Sequence, residues 1–294
     1  QNLTASAPSH AVCARMGGDE FCAVVADQAE AQALAVRLGE ICGAGLAVGD
    51  SVCRSGISAG IADADWQAPD PVSTVLRRAD LALYHAKRNN SVLACFHPAM
   101  QAEADARQQL LHAIGAACRN DEFFLEYQPI VRVESCTIQA YEALLRWQHP
   151  QHGRIEPALF IRLAEENGLI RELGRWVLER ACDDLATGPP DIRVNVNVSA
   201  RQLAEPGFAD ETAAILHRHG LDPGRLTLEL TESQSASAVA PGPEVERLRA
   251  HGFRLVLDDF GTEYAALSQV SSGVFDGIKL SRDFIADCCA ERRA

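Results

Sequence analysis

Arg193-Val194-Asn195-Val196-Asn197-Val198 is the stretch that decides the fold. It is short, rich in β-branched residues and carries an amide beside its last apolar residue, so it reads as a strand of a buried sheet. Working outward, strand-like runs recur at 124–131, 137–146, 226–230, 255–258 and 277–280. Between them, apolar residues fall at helical spacing over 158–166, 170–185, 208–219, 243–251 and 263–270. Strand and helix taking turns on this scale predict an α/β architecture, either a β/α barrel or a doubly wound sheet.

The first hundred residues follow another pattern. After a small, polar start, Arg15 to Asp27 carries Gly17-Gly18, Asp19-Glu20 and an apolar run from Phe21, which predicts a hairpin with acids at its tip. A helix over 28–42, a strand over 52–61, a helix over 75–87 and a strand over 91–96 follow. Residues 97–102 read as a connector and 103–118 as a helix leading into the second half. A chain of 294 residues suits two domains, drawn here as 1–96, a linker at 97–104, and 105–294.

Composition narrows the chemistry. Hydrophobic residues make up 47% and charged residues 23%, the balance of a chain able to bury a core. A net charge of -13 repels polyanions and argues against a nucleic-acid polymer as partner. A small phosphate ester is different, because metal ions held by clustered carboxylates supply the positive charge. The ten cysteines form no CxxC pair, and reduced, mostly buried thiols are expected, as in the cytoplasm. No apolar stretch approaches the roughly 18 residues of a membrane span, so any anchor of a parent protein lies outside this chain.

In the second half, oxygen-bearing side chains stand at the C-terminal ends of the expected strands: Glu142, Asn197, Glu229 and the pair Asp258-Asp259, with Lys279 closing the series. In a β/α barrel those strand ends converge on one face. Any one of them alone reads most often as a helix cap or a solvated loop residue. Together, carboxylates with one amide suit Mg²⁺ or Mn²⁺, and two such ions activate water and steady the charge of an in-line phosphoryl transfer. Lys279 beside the ions is placed to hydrogen-bond that water or to neutralise phosphate.

Glu142-Ala143-Leu144-Leu145-Arg146-Trp147, followed by His149-Pro150, resembles the signature of the EAL family of cyclic di-GMP phosphodiesterases. Tyr127-Gln128-Pro129-Ile130, Val196-Asn197-Val198-Ser199, Glu229-Leu230-Thr231-Glu232, Asp258-Asp259-Phe260-Gly261-Thr262 and Ile278-Lys279 follow that family's order. The resemblance implies a (β/α)8 TIM-like barrel and two-metal hydrolysis of cyclic di-GMP to linear pGpG. By it, Glu142, Asn197, Glu229, Asp258 and Asp259 would be metal ligands, and Lys279 would lie near the attacking water. Gln128 and Arg146 would contact the dinucleotide, and Glu232 would steady the loop after Asp259. Pairing of two copies through this domain is a further implication.

Arg15-Met16-Gly17-Gly18-Asp19-Glu20-Phe21 resembles the GGDEF signature of diguanylate cyclases, supported by Gly60 and by Ala79-Asp80-Leu81-Ala82-Leu83-Tyr84. It implies a partial α+β, nucleotide cyclase-like domain. Few residues precede Gly17, so a degenerate site at Gly17, Gly18, Asp19 and Glu20 without cyclase activity is expected. Residues 105–294 also fall short of the roughly 250 of a closed barrel, which predicts an incomplete one lacking its last strand-helix units. Glu263 and Ser281 stand where the family has glycine and aspartate. An inactive cyclic di-GMP receptor or regulatory module is therefore the alternative to the enzyme.

Overall fold

The computed structural model describes residues 2–48, 51–65, 71–231, 242–261, 273–282 and 284–286. The chain divides into a unit of residues 1–108 and a unit of residues 109–294.

In the first unit a short helix α1 (Asn2–Ser6) precedes β1 (Val12–Gly17) and β2 (Glu20–Val24), an antiparallel hairpin turning at Gly18, whose φ of +49° suits glycine. Helix α2 (Gln28–Ala44) is capped by Asp27, whose carboxylate accepts from the Glu30 N–H at 2.9 Å. Next come β3 (Leu46–Val48) paired with β4 (Ser51–Cys53), β5 (Ala59–Ile61), α3 (Val72–Arg88), and β6 (Leu93–Cys95) parallel to β5. At Gly60 the strand lies so close to α3 that a Cβ would run into the Ala79 carbonyl and the Leu83 amide.

Two expectations change here. The strand expected over 52–61 is two strands, because β4 folds back on β3 while β5 joins β6. The segment expected as a connector at 97–104 is the start of α4 (Pro98–Ala117), where a proline fits because the first helical N–H has no partner to lose.

The second unit is built on β7 (Phe123–Arg132), β8 (Thr137–His149), β9 (Gly153–Ile155), α5 (Pro157–Glu166), α6 (Ile170–Thr187), β10 (Arg193–Asn197), α7 (Ala200–Leu203), α8 (Phe208–Arg218), β11 (Leu226–Thr231), α9 (Pro243–Ala250), β12 (Arg254–Phe260) and β13 (Gly277–Leu280). Among the described residues one seven-stranded sheet runs β13-β12-β11-β10-β8-β7, with β9 on β8. All pairs from β8 through β10 to β13 are parallel, whereas β7 enters antiparallel to β8 through a hairpin. The helix expected at 263–270 lies outside the described residues.

Alternation gives each strand one apolar and one polar face. Val194, Val196, Leu226, Leu228, Leu230 and Leu255 pack with Val177, Leu178, Ala181 and Leu185 of α6, Ile215 and Leu216 of α8, and Leu248 of α9. Burying each such leucine contributes about 2 kcal/mol. A second cluster gathers Phe123, Trp147 and Phe160, with Trp147 edge-on to Phe160 at 5.5 Å and its Nε1 donating to Glu122 at 3.0 Å. These layers fix the strands, and so fix what the other face displays. No described helix is long and apolar enough to cross a membrane. The eight described cysteines are free thiols.

Candidate active site

The polar face collects the expected residues by register. Asn195 of β10 aligns with Glu142 of β8, Asn197 with Glu229 of β11, and Thr231 with Asp258 of β12. Gln128 of β7 lies directly opposite Glu142, and so shares its face. Glu142 is not at a strand end, as the sequence suggested, because β8 runs on to His149. It sits where the parallel ladder with β10 stops, after Ala143.

Carboxylate oxygens of Glu142, Glu229 and Asp258 lie within 4.8 Å of one another. Lys279 stands among them, its Nζ 2.8 Å from Glu142 Oε2, 2.8 Å from Glu229 Oε2 and 3.4 Å from Asp258 Oδ2. Asn197 Nδ2 donates to Glu142 Oε1 at 2.9 Å, and Asn195 Nδ2 to Glu229 Oε1 at 2.7 Å. Asn195 was not singled out from sequence. Its signal was there, since two asparagines two residues apart on a strand share a face.

Burial sets the electrostatics. The Glu229 side chain is 0% exposed, Glu142 15% and Asp258 17%. Burial pushes the Glu229 carboxyl above its ordinary value despite the bonds from Lys279 and Asn195. Burial also opposes ionisation of Glu142, but Lys279 and Asn197 outweigh it and hold that carboxyl below its ordinary value. Lys279 loses hydration too, yet its bonds to Glu142 and Glu229 hold it above the usual lysine range. It is therefore an ammonium across the neutral range.

Asp259 takes another path. The ladder with β13 is irregular between Leu257 and Phe260, and Asp259 adopts a left-handed φ of +54°. Its side chain is exposed, its N–H donates to Asp258 Oδ1 at 2.9 Å, and partial burial, then Asp258, raise its carboxyl above the ordinary value. Arg146 Nε reaches Glu126 Oε2 at 2.7 Å, and Arg154 Nη2 the same oxygen at 2.9 Å, so Arg146 stands two positions from Leu144 on the face that carries Glu142. Glu232 lies outside the described residues. Gly17, Gly18, Asp19 and Glu20 form the exposed tip of the first hairpin.

The donor set fits a divalent cation: hard oxygen donors, one buried and two half-buried, with three carboxylates against one ammonium leaving the cluster net negative. Residues 107–294 match the family described as EAL domain, and residues 1–92 the family described as diguanylate cyclase, GGDEF domain. The chain belongs to the EAL family. Its EAL part follows a GGDEF part in tandem. The chain is 38% identical over 297 residues to an uncharacterized signaling protein of Caulobacter vibrioides, covering 98% of this chain and 36% of that protein. It is 36% identical over 295 residues to the bifunctional diguanylate cyclase/cyclic di-GMP phosphodiesterase MucR of Pseudomonas aeruginosa, covering 97% of this chain and 43% of MucR. The chain thus spans less than half the length of these curated relatives. Among solved structures, the PaMucR phosphodiesterase in complex with c-di-GMP is 39% identical, with a TM-score of 0.56 over 62% of this chain and 75% of that one. The Bd1971 EAL enzyme bound to cAMP and cyclic-di-GMP is 28% identical, with a TM-score of 0.61 over 77% of this chain and 61% of that one.

Proposed function

We propose that the second unit is a cyclic di-GMP phosphodiesterase of the bacterial cytoplasm, opening one phosphodiester to give linear pGpG with two Mg²⁺ or Mn²⁺ ions. The observation that carries this reading is the convergence of Glu142, Glu229 and Asp258 around Lys279, in a chain of the EAL family. Glu142, Glu229 and Asp258 would hold the ions, with Asn197 and Asp259 completing the set. When bound, such ions polarise a phosphoryl oxygen and raise the acidity of water.

The chain's own residues supply the rest. Lys279 stays protonated at neutral pH, so it is a donor and charge partner for the phosphate and the attacking water, and not a general base. Asn195 and Asn197 fix the rotamers of Glu229 and Glu142. Arg146 presents a guanidinium suited to a phosphate once it is shared with Glu126, and Gln128 offers an amide on the same face. Asp19 and Glu20 stand exposed at a hairpin tip, and cyclase chemistry is not part of this proposal. Pairing of two copies through the EAL unit belongs to the same proposal, and sedimentation velocity tests it.

One observation favours a second reading. Lys279 already serves as counter-ion to all three carboxylates, so a chain in which cations fail to displace it would bind cyclic di-GMP without cutting it. Turnover of cyclic di-GMP with Mg²⁺ or Mn²⁺, followed as linear product by chromatography, decides between them. Metal-dependent product is expected. Tight calorimetric binding with no product after prolonged incubation would establish the receptor instead.

A further inference from the structure

The sheet face that carries the acids has an opposite pole. Alternation puts Arg193 on the face of Asn195 and Asn197 in β10, and Arg254 on the face of Val256 and Asp258 in β12. In β7 it puts Arg132 on the face of Gln128 and Ile130, because the irregularity after Ile130 is taken up on β8 at Gln139. Each arginine is four residues from a residue at the acidic end, about 13 Å along a strand. They stand at the amino-terminal end of the parallel strands, where the antiparallel β7 finishes.

Among the described residues no carboxylate is joined to any of the three. The amide oxygen of Gln139, turned toward the guanidinium, accepts from Arg132 Nε and Nη2. Asp276, beside β12, directs Oδ2 to the Leu255 N–H at 2.9 Å. Arg193 is half-buried, and burial, then the charges of Arg254 and Arg132, make its protonated form harder to hold than usual. Arg193 thus feels the charges of both Arg254 and Arg132 from the same sheet face, and the planar forks of guanidiniums suit the oxygens of a multivalent oxyanion.

We propose that Arg132, Arg193 and Arg254 form a binding site for a small multivalent oxyanion of the phosphate type, separate from the acid cluster. The site does not depend on hydrolysis at the other pole. The test uses the 294-residue chain in chelator, so that no divalent cation carries phosphate to the acids. Inorganic phosphate is titrated while Tm is followed, with acetate at matched ionic strength as control. Phosphate should raise Tm saturably and acetate should not. Arg132→Gln, at an exposed strand end, should keep the fold and bind phosphate about tenfold more weakly, the loss of one charge-assisted contact. Arg193→Met should abolish the response, and Arg254→Gln serves in its place should that variant not fold. Equal shifts with acetate, or an unchanged phosphate response in Arg132→Gln, would overturn the site.

Discussion

The hairpin tip at Gly17 to Glu20 and the cluster at Glu142, Glu229 and Asp258 use the same side-chain chemistry in opposite settings. Asp19 and Glu20 are exposed at a turn, where water solvates each carboxylate. Glu229 is fully buried and survives there through a lysine and an asparagine. A buried charge must be compensated by fixed partners, and those partners make its field strong and directional. A short acidic motif is therefore only as chemical as the sheet behind it.

The largest effect should break the comparison at its acidic end. Glu142→Gln removes one charge from the cluster while keeping the shape, and hydrolysis of cyclic di-GMP should fall on the order of 10²–10³-fold, as when one preorganised electrostatic group is lost. Asp19→Asn should leave the same rate unchanged. Product chromatography reads both, and equal rates in all three proteins would remove the second unit from the chemistry.

Legibility follows the same division. The strands of the second unit were readable because Val194, Val196, Leu226, Leu228 and Leu255 must be buried, and burial leaves a pattern. Glu142, Asn197, Glu229, Asp258 and Lys279 were found as a series of strand-borne donors that register brings together. The antiparallel entry of β7 was not visible, because strand direction leaves no periodicity. The split between β4 and β5 was missed for a similar reason: three-residue strands are too short to show a period. Asn195 escaped although its spacing from Asn197 placed it on the same face, because the partner that gives it a role, Glu229, lies on another strand.

Removing the cation should have the next largest effect. Lys279→Met leaves three neighbouring carboxylates without their ammonium, and unpairing a buried charge costs roughly 3 kcal/mol. Urea unfolding in chelator should show that loss, and added Mg²⁺ should restore much of it by binding the folded state. A variant as stable as the parent in chelator would mean that Lys279 compensates nothing.

The matching perturbation in the first unit is steric. Gly60→Ala forces a methyl against the α3 backbone, which cannot move as a flexible side chain would. The expected cost is roughly 2 kcal/mol, in the range of overpacked cores. Circular dichroism melts measure it, and hydrolysis at a temperature where both proteins are folded should be unaffected.

The smallest effect contrasts two carboxylates on one sheet. Glu126 is partly exposed, and its bonds from Arg146 and then Arg154 lower its carboxyl from the usual 4.5. Folding favours its ionised form, so its contribution to stability is present above 4.5 and is lost as pH falls through the lowered value. Glu229 runs the other way. Burial raises it from the same 4.5, folding favours its protonated form, and its contribution is complete below 4.5 and lost as pH rises through the raised value. Carboxyl ¹³C titrations of the chelated protein should therefore place the two resonances on opposite sides of 4.5. Arg146→Ala with Arg154→Ala should return Glu126 upward and leave Glu229 where it is. If the two carboxyls titrate together instead, burial is not what separates the acids of the cluster from those in water.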